Sequence, residues 1–158
     1  MTASAHTERR RIAGLAAAFL TGCAISTPQR VVPLAPGEPA DARVYGSITR
    51  ARVRPESRAE FAELTRRVAA LLDQGLPGLV CHSIRRELLG RQAWTLTVWR
   101  SPAAREQFAR HSVHAEAMTA SQRLLAEVRV RRLALRRDEL PLSWAKALAL
   151  LDSAPAGG

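Results

Sequence analysis

Trp94-Thr-Leu-Thr-Val-Trp99, Ser101-Pro102 and Phe108-Ala-Arg-His-Ser-Val-His114-Ala-Glu-Ala-Met118 make up the stretch that decides the fold. Residues 94–99 set Trp94, Leu96 and Val98 on one side and Thr95, Thr97 and Trp99 on the other, the two-residue period of a strand. Ser101-Pro102 ends that strand and opens a helix, because serine caps the free amides and proline in the first helical position has no amide hydrogen to leave unpaired. The spacing predicts a helix from Pro102 to about Leu125. At about 100° per residue, Ala104, Phe108, His111, Ala115, Met118 and Leu125 fall in one stripe, with His111 near its centre and His114 at its edge. Both imidazoles are therefore expected to face the sheet or a pocket beside it.

The same reading extends in both directions. Val44 to Val53, with Tyr45 and Ile48, reads as a strand stopped by Pro55. Ser57-Arg-Ala-Glu60 has the spacing of a capping box, and Phe61, Leu64, Val68, Leu71 and Leu72 then lie on one side of a helix that Gly75 and Pro77-Gly78 terminate. Leu79–Glu87 and Gln92–Arg100 are two strands joined as a hairpin at Leu88-Leu89-Gly90-Arg91. Glu127 to Leu135 supplies a fourth strand, and Ser143 caps a last helix carrying Trp144, Leu148 and Leu151.

The order β-α-β-β-α-β plus a helix defines an α+β, ferredoxin-like domain over residues 42–153, with a four-stranded antiparallel sheet and both main helices on one face. Several strands are apolar on both faces, as Leu96 and Val98 against Trp99 show. The second face is thus expected to find a partner, and a second copy of the chain is the simplest one.

Ahead of the domain, Glu8-Arg-Arg-Arg11 precedes the apolar run Ile12 to Leu20 and then Thr21-Gly22-Cys23. Residues 1–22 have the layout of a signal peptide, and Leu20-Thr-Gly-Cys23 has that of a lipobox, in which the cysteine is acylated. On that reading Cys23 is the lipidation site and the protein sits in the cell envelope on a lipid anchor. A cytoplasmic protein with an apolar N-terminal helix, or with a start assigned too far upstream, is the other reading. Residues 23–41 hold Pro28, Pro33, Pro36 and Pro39 without a period and read as a tether, and 154–158 read as a disordered tail.

The chain of 158 residues carries a net charge of +10, with Lys146 its only lysine among 24 basic residues. These are spread along the chain, and Arg129 and Arg131 alternate with Val128 and Val130 as on a solvated strand face, so no nucleic-acid partner is expected. No apolar run reaches the roughly 20 residues of a membrane span. Two cysteines are too few for a disulfide framework, and Cys81 and His82, adjacent in a strand, point to opposite faces and do not form a catalytic pair. His111 and His114 lack a third ligand at a spacing that completes a metal site. Phosphate-loop, nucleophile-elbow and dinucleotide motifs are missing, which removes flavin and nicotinamide cofactors from the expectations.

The domain resembles the antibiotic-biosynthesis-monooxygenase-like group of dimeric α+β barrels. The likeness rests on the first strand and its capped helix, Leu76-Pro-Gly78, Trp94 to Trp99, Phe108 to His114, and Leu142-Ser-Trp144. The resemblance implies a homodimer with a pocket in each subunit between sheet and helices, edged here by His114, His111 and Arg110. It implies a small-molecule monooxygenase, possible without a cofactor, acting on an apolar or aromatic substrate with His114 as base. The alternative it allows is a non-catalytic module for haem or another hydrophobic ligand, with His114 as haem ligand, and a third reading makes both histidines core residues of a structural dimer.

Overall fold

The computed structural model describes residues 23–153, so the signal-like segment and the tail lie outside the described residues. Five strands form: β1 Ala24–Ser26, β2 Arg43–Val53, β3 Leu79–Glu87, β4 Gln92–Trp99 and β5 Leu125–Arg136. They build one antiparallel sheet in the order β1-β3-β4-β2-β5. Four α-helices accompany them among the described residues: α1 Arg58–Asp73, α2 Pro102–Arg110, α3 Ser112–Leu124 and α4 Trp144–Asp152. The α+β, ferredoxin-like arrangement is as expected, and β1 adds a short fifth strand at the edge.

Register assigns the faces. Tyr45, Ser47, Thr49 and Ala51 on β2 lie opposite Trp99, Thr97, Thr95 and Ala93 on β4. That side lies under α1, α2 and α3, where Leu71, Leu72, Leu79, Trp99 and Phe108 form one buried cluster. The alternate residues, including Ile48, Leu96 and Val98, form the opposite side, and they are buried under Leu142, Ala147 and Leu151. The face expected to receive a second copy is therefore covered within the chain by α4, whose Ser143 cap accepts from the Lys146 amide at 3.2 Å. Two-faced strands called for two covers, and a nine-residue helix supplies the second.

The segment expected as a tether is bound to this same layer. Ser83 donates to the Thr27 carbonyl at 2.6 Å, and the Val32 amide donates to the Val80 carbonyl at 2.9 Å. The Gln29 side chain accepts from the Leu142 amide at 3.0 Å and donates to the Leu142 carbonyl. Glu38 pairs with Arg100, which together with a hydrogen bond from the Ala35 amide holds its carboxyl below the usual carboxylate range. Prolines announce a chain without helix or ladder, and isolated polar anchors still fix such a chain in place.

The capping box is a second correction. Pro55–Ser57 forms a 3₁₀ turn leading into α1, Ser57 makes no side-chain cap, and Glu60 pairs with Arg123 of α3 instead. The turn after α1 follows the reading closely: Gly78 has φ +77°, a conformation that favours glycine, and a methyl group there would lie 2.6 Å from the Ala104 side chain.

Because Leu151 is fully buried under the sheet and Met118 is half exposed, the two substitutions separate the layers. Leu151→Ala is expected to lower the unfolding free energy by about 2–5 kcal/mol in urea titrations, and Met118→Ala by less than about 0.5 kcal/mol. Equal losses would contradict the placement of α4.

Candidate active site

The helix expected to run unbroken from Pro102 is interrupted at one residue. His111 has φ −61° and ψ 134°, so α2 ends at Arg110 and α3 starts at Ser112. The His111 Nδ1 accepts from the Val113 amide at 3.4 Å, and imidazole thus does the work of an N-cap. The break resets the phase of the second half. Val113, His114, Ala117, Ser121 and Leu124 turn inward, His111 and Ala115 turn out, and Met118 lines the cavity while half exposed. The inner stripe read from an unbroken helix therefore holds for Ala104, Phe108, Met118 and Leu125 and fails at His111 and Ala115.

His114 takes the inward position expected for His111. It borders a cavity of about 170 Å³ between the helices and the sheet. Phe61 and Leu64 of α1 close one wall, Thr49 and Thr95 lie on the sheet floor, and Ile84 comes from β3. The surface is overwhelmingly apolar, with the threonine hydroxyls and the imidazole as its polar points. His111 lies outside, lining a separate small hollow with Leu76 and Trp99, and Arg110 is exposed and lines neither space. Of the three residues expected to edge the pocket, the fold delivers one.

An aromatic stack holds His114 in place. The Trp99 and Phe108 rings stack with centroids 5.1 Å apart, and the Phe108 and His114 centroids are 4.3 Å apart. Trp99 is fully buried and its Nε1 donates to Thr97 Oγ1 at 3.0 Å, so the base of the stack is fixed. The His114 Nδ1 lies 3.3 Å from the Ala109 carbonyl oxygen. A carbonyl only accepts, so the ring hydrogen is on Nδ1 and Nε2 carries the lone pair. Burial pulls the imidazole below its ordinary pKa, the Ala109 hydrogen bond works in the opposite direction, and nearby His111 adds a smaller downward push. Burial thus favours the neutral ring, and a hydrogen on Nδ1 leaves Nε2 as its basic atom.

The cavity also decides what fits. At about 170 Å³ it lies below the roughly 300–1,000 Å³ of sites for drug-sized ligands, room for a small ring system and too little for a haem macrocycle reaching His114. Among the described residues no three His, Cys, Asp or Glu side chains converge as a metal site. Cys81 faces the α4 layer, where burial pushes its thiol up to about 11, while His82 lies 3.2 Å from Asp73 on the α1 side. The two stand apart as their strand positions required. Phe61, Leu64, Thr49, Thr95 and Ser121 were not singled out as site residues; for Phe61 and Leu64 the apolar stripe of α1 was the available signal.

No protein-family model matches the sequence, and no curated protein matches it. Solved structures do share the fold. Rv0793 from Mycobacterium tuberculosis is 18% identical with a TM-score of 0.52, the match covering 57% of this chain and 92% of that one. An antibiotic biosynthesis monooxygenase gives 11% identity and 0.51, covering 56% and 95%. SnoaB, a cofactor-independent oxygenase from Streptomyces nogalater, is 23% identical with a TM-score of 0.50 over 62% and 97%. The fold is the ferredoxin-like α+β fold of antibiotic-biosynthesis-monooxygenase-like proteins.

Two outcomes follow for solution measurements. The folded pKa of His114 lies below its unfolded value, so the stability tied to the neutral ring is present above the unfolded pKa and is lost as pH falls through the folded one. The melting temperature should drop more between neutral and mildly acidic pH in the parent protein than in His114→Phe; parallel pH curves would contradict the desolvated ring. Cys81 should resist thiol reagents in the folded protein and react after unfolding, whereas rapid native labelling would show it accessible.

Proposed function

We propose that the protein is a small-molecule monooxygenase that works without a cofactor on an apolar or aromatic substrate. The observation that carries this reading is the His114 imidazole, its Nδ1 turned to the Ala109 carbonyl, bordering an apolar cavity of small-ring size. The cofactor-independent oxygenase among the structures of the same fold supports it. A substrate with a CH₂ acidified by a neighbouring carbonyl or aromatic ring gives a proton to His114 Nε2, and the carbanion is delocalised over the ring system. Dioxygen takes electrons from that carbanion and forms a peroxide on the same carbon. Loss of water then leaves a C=O, so both hydrogens and one oxygen atom depart as water. The apolar wall of Phe61 and Leu64 keeps bulk water from the carbanion, and the threonines on the floor offer hydroxyls to the substrate's oxygens.

We propose further that Cys23, exposed at the start of β1, carries a lipid anchor in the cell envelope. Its support is the Leu20-Thr-Gly-Cys23 sequence. Transfer of Cys23→Ser from the membrane to the soluble fraction is the expected result, and an unchanged membrane fraction would contradict it.

Oxygen consumption with a panel of small aromatic ketones tests the chemistry. His114→Gln should lower kcat/KM about 10²–10⁴-fold with the fold retained, and the parent's rate should fall on acidification with a midpoint below the usual imidazole range. Arg110→Gln should leave the rate within a small factor. Full activity in His114→Gln would remove the base from the mechanism.

A further inference from the structure

Leu88 and Leu89 stand at the tip of the β3–β4 hairpin, 48% and 91% exposed, and Leu89 is the most exposed large apolar side chain among the described residues. The tip is held, not loose. Arg58 reaches from the start of α1 to donate to the Leu89 carbonyl at 2.9 Å and to the Gly90 carbonyl, while the Glu87 carboxylate turns back to accept from the Gln92 amide at 3.0 Å. The leucines are therefore presented outward by a braced turn. Arg86 and Arg91 flank them, both exposed and neither with an ion-pair partner among the described residues. The one acid of the turn, Glu87, is occupied by Gln92.

A second observation places the N-terminal chain at this corner. The Leu88 amide donates to the Cys23 carbonyl at 2.9 Å, and β1 lays Ile25, 44% exposed, across from Arg86. The sequence that enters the domain here is the one whose Ile12 to Leu20 run follows three arginines. Apolar projections and unpaired cations meet at the corner of the sheet where Cys23 enters the domain.

We propose that this corner docks on an anionic lipid bilayer, with Leu88 and Leu89 inserted at the headgroup boundary and Arg86 and Arg91 on lipid phosphates. The contact stands on the hairpin and does not require Cys23 to be acylated. Shape and charge favour a bilayer over a protein. Two protruding leucines do not make the roughly 800 Å² per partner of a stable protein interface, and a second copy would bring arginines against arginines. The cleft beside the tip, lined by Arg58, Leu88 and Arg91, shares Phe61, Thr65, Ile84 and Ala93 with the His114 cavity.

The test uses the full chain with vesicles of phosphatidylglycerol and phosphatidylethanolamine, read by co-sedimentation and by amide hydrogen exchange. Vesicles are expected to slow exchange at residues 87–91, and Leu88→Ser with Leu89→Ser should weaken binding about tenfold or more. Arg86→Gln with Arg91→Gln should abolish the preference for these vesicles over phosphatidylcholine. The N-terminal run can bind lipid by itself, so exchange at the hairpin decides. Hairpin exchange unchanged on vesicle-bound protein overturns the proposal, as does equal hairpin protection in the double serine variant.

Discussion

The pairing of β2 with β4 at the centre of the sheet is the constraint on which everything else rests. Tyr45 opposite Trp99 and Ile48 opposite Leu96 fix which side of every strand is which. A slip of β4 by one residue would exchange its faces, sending Thr95 into the aliphatic layer and Leu96 and Val98 into the cavity. Burial on both sides makes that exchange costly. The sheet is therefore a partition: Thr49, Thr95 and Trp99 lie toward α1, α2 and α3, and Ile48, Leu96 and Val98 toward α4.

From that partition the site follows in steps. Trp99 occupies the last position of β4 on the helix side, Phe108 stacks on it from α2, and His114 rests on Phe108 from α3. Each ring is placed by the one before it, and the first is fixed by its bond to Thr97. The Ala109 carbonyl at the end of α2 then selects the tautomer. Breaking the helix at His111 performs two tasks in this sequence: it rotates His114 inward, and it leaves its neighbouring carbonyl free of the helical ladder to accept from the ring.

The legible and illegible parts divide along physical lines. Strand positions were readable because a two-residue period survives even where both faces are apolar, and Pro102 and Gly78 marked their boundaries as their backbone chemistry dictates. His114 as a site residue was readable from its helix. Its promotion over His111 was not, since a one-residue break capped by an imidazole leaves no glycine or proline behind. The fate of residues 24–41 was hidden for a related reason. Thr27, Gln29 and Glu38 bind partners far along the chain, and no local pattern reports such pairings. The cover over the second face was visible as α4, although its assignment to the chain's own sheet needed the tertiary structure.

The proposed chemistry depends on His114 being a neutral base with its hydrogen on Nδ1. Nitrogen NMR of the histidine rings across a pH titration measures this directly. An Nδ1–H tautomer of His114 at neutral pH and a titration midpoint below the ordinary imidazole value are expected. An Nε2–H tautomer, or a midpoint at or above the ordinary imidazole value, would contradict it.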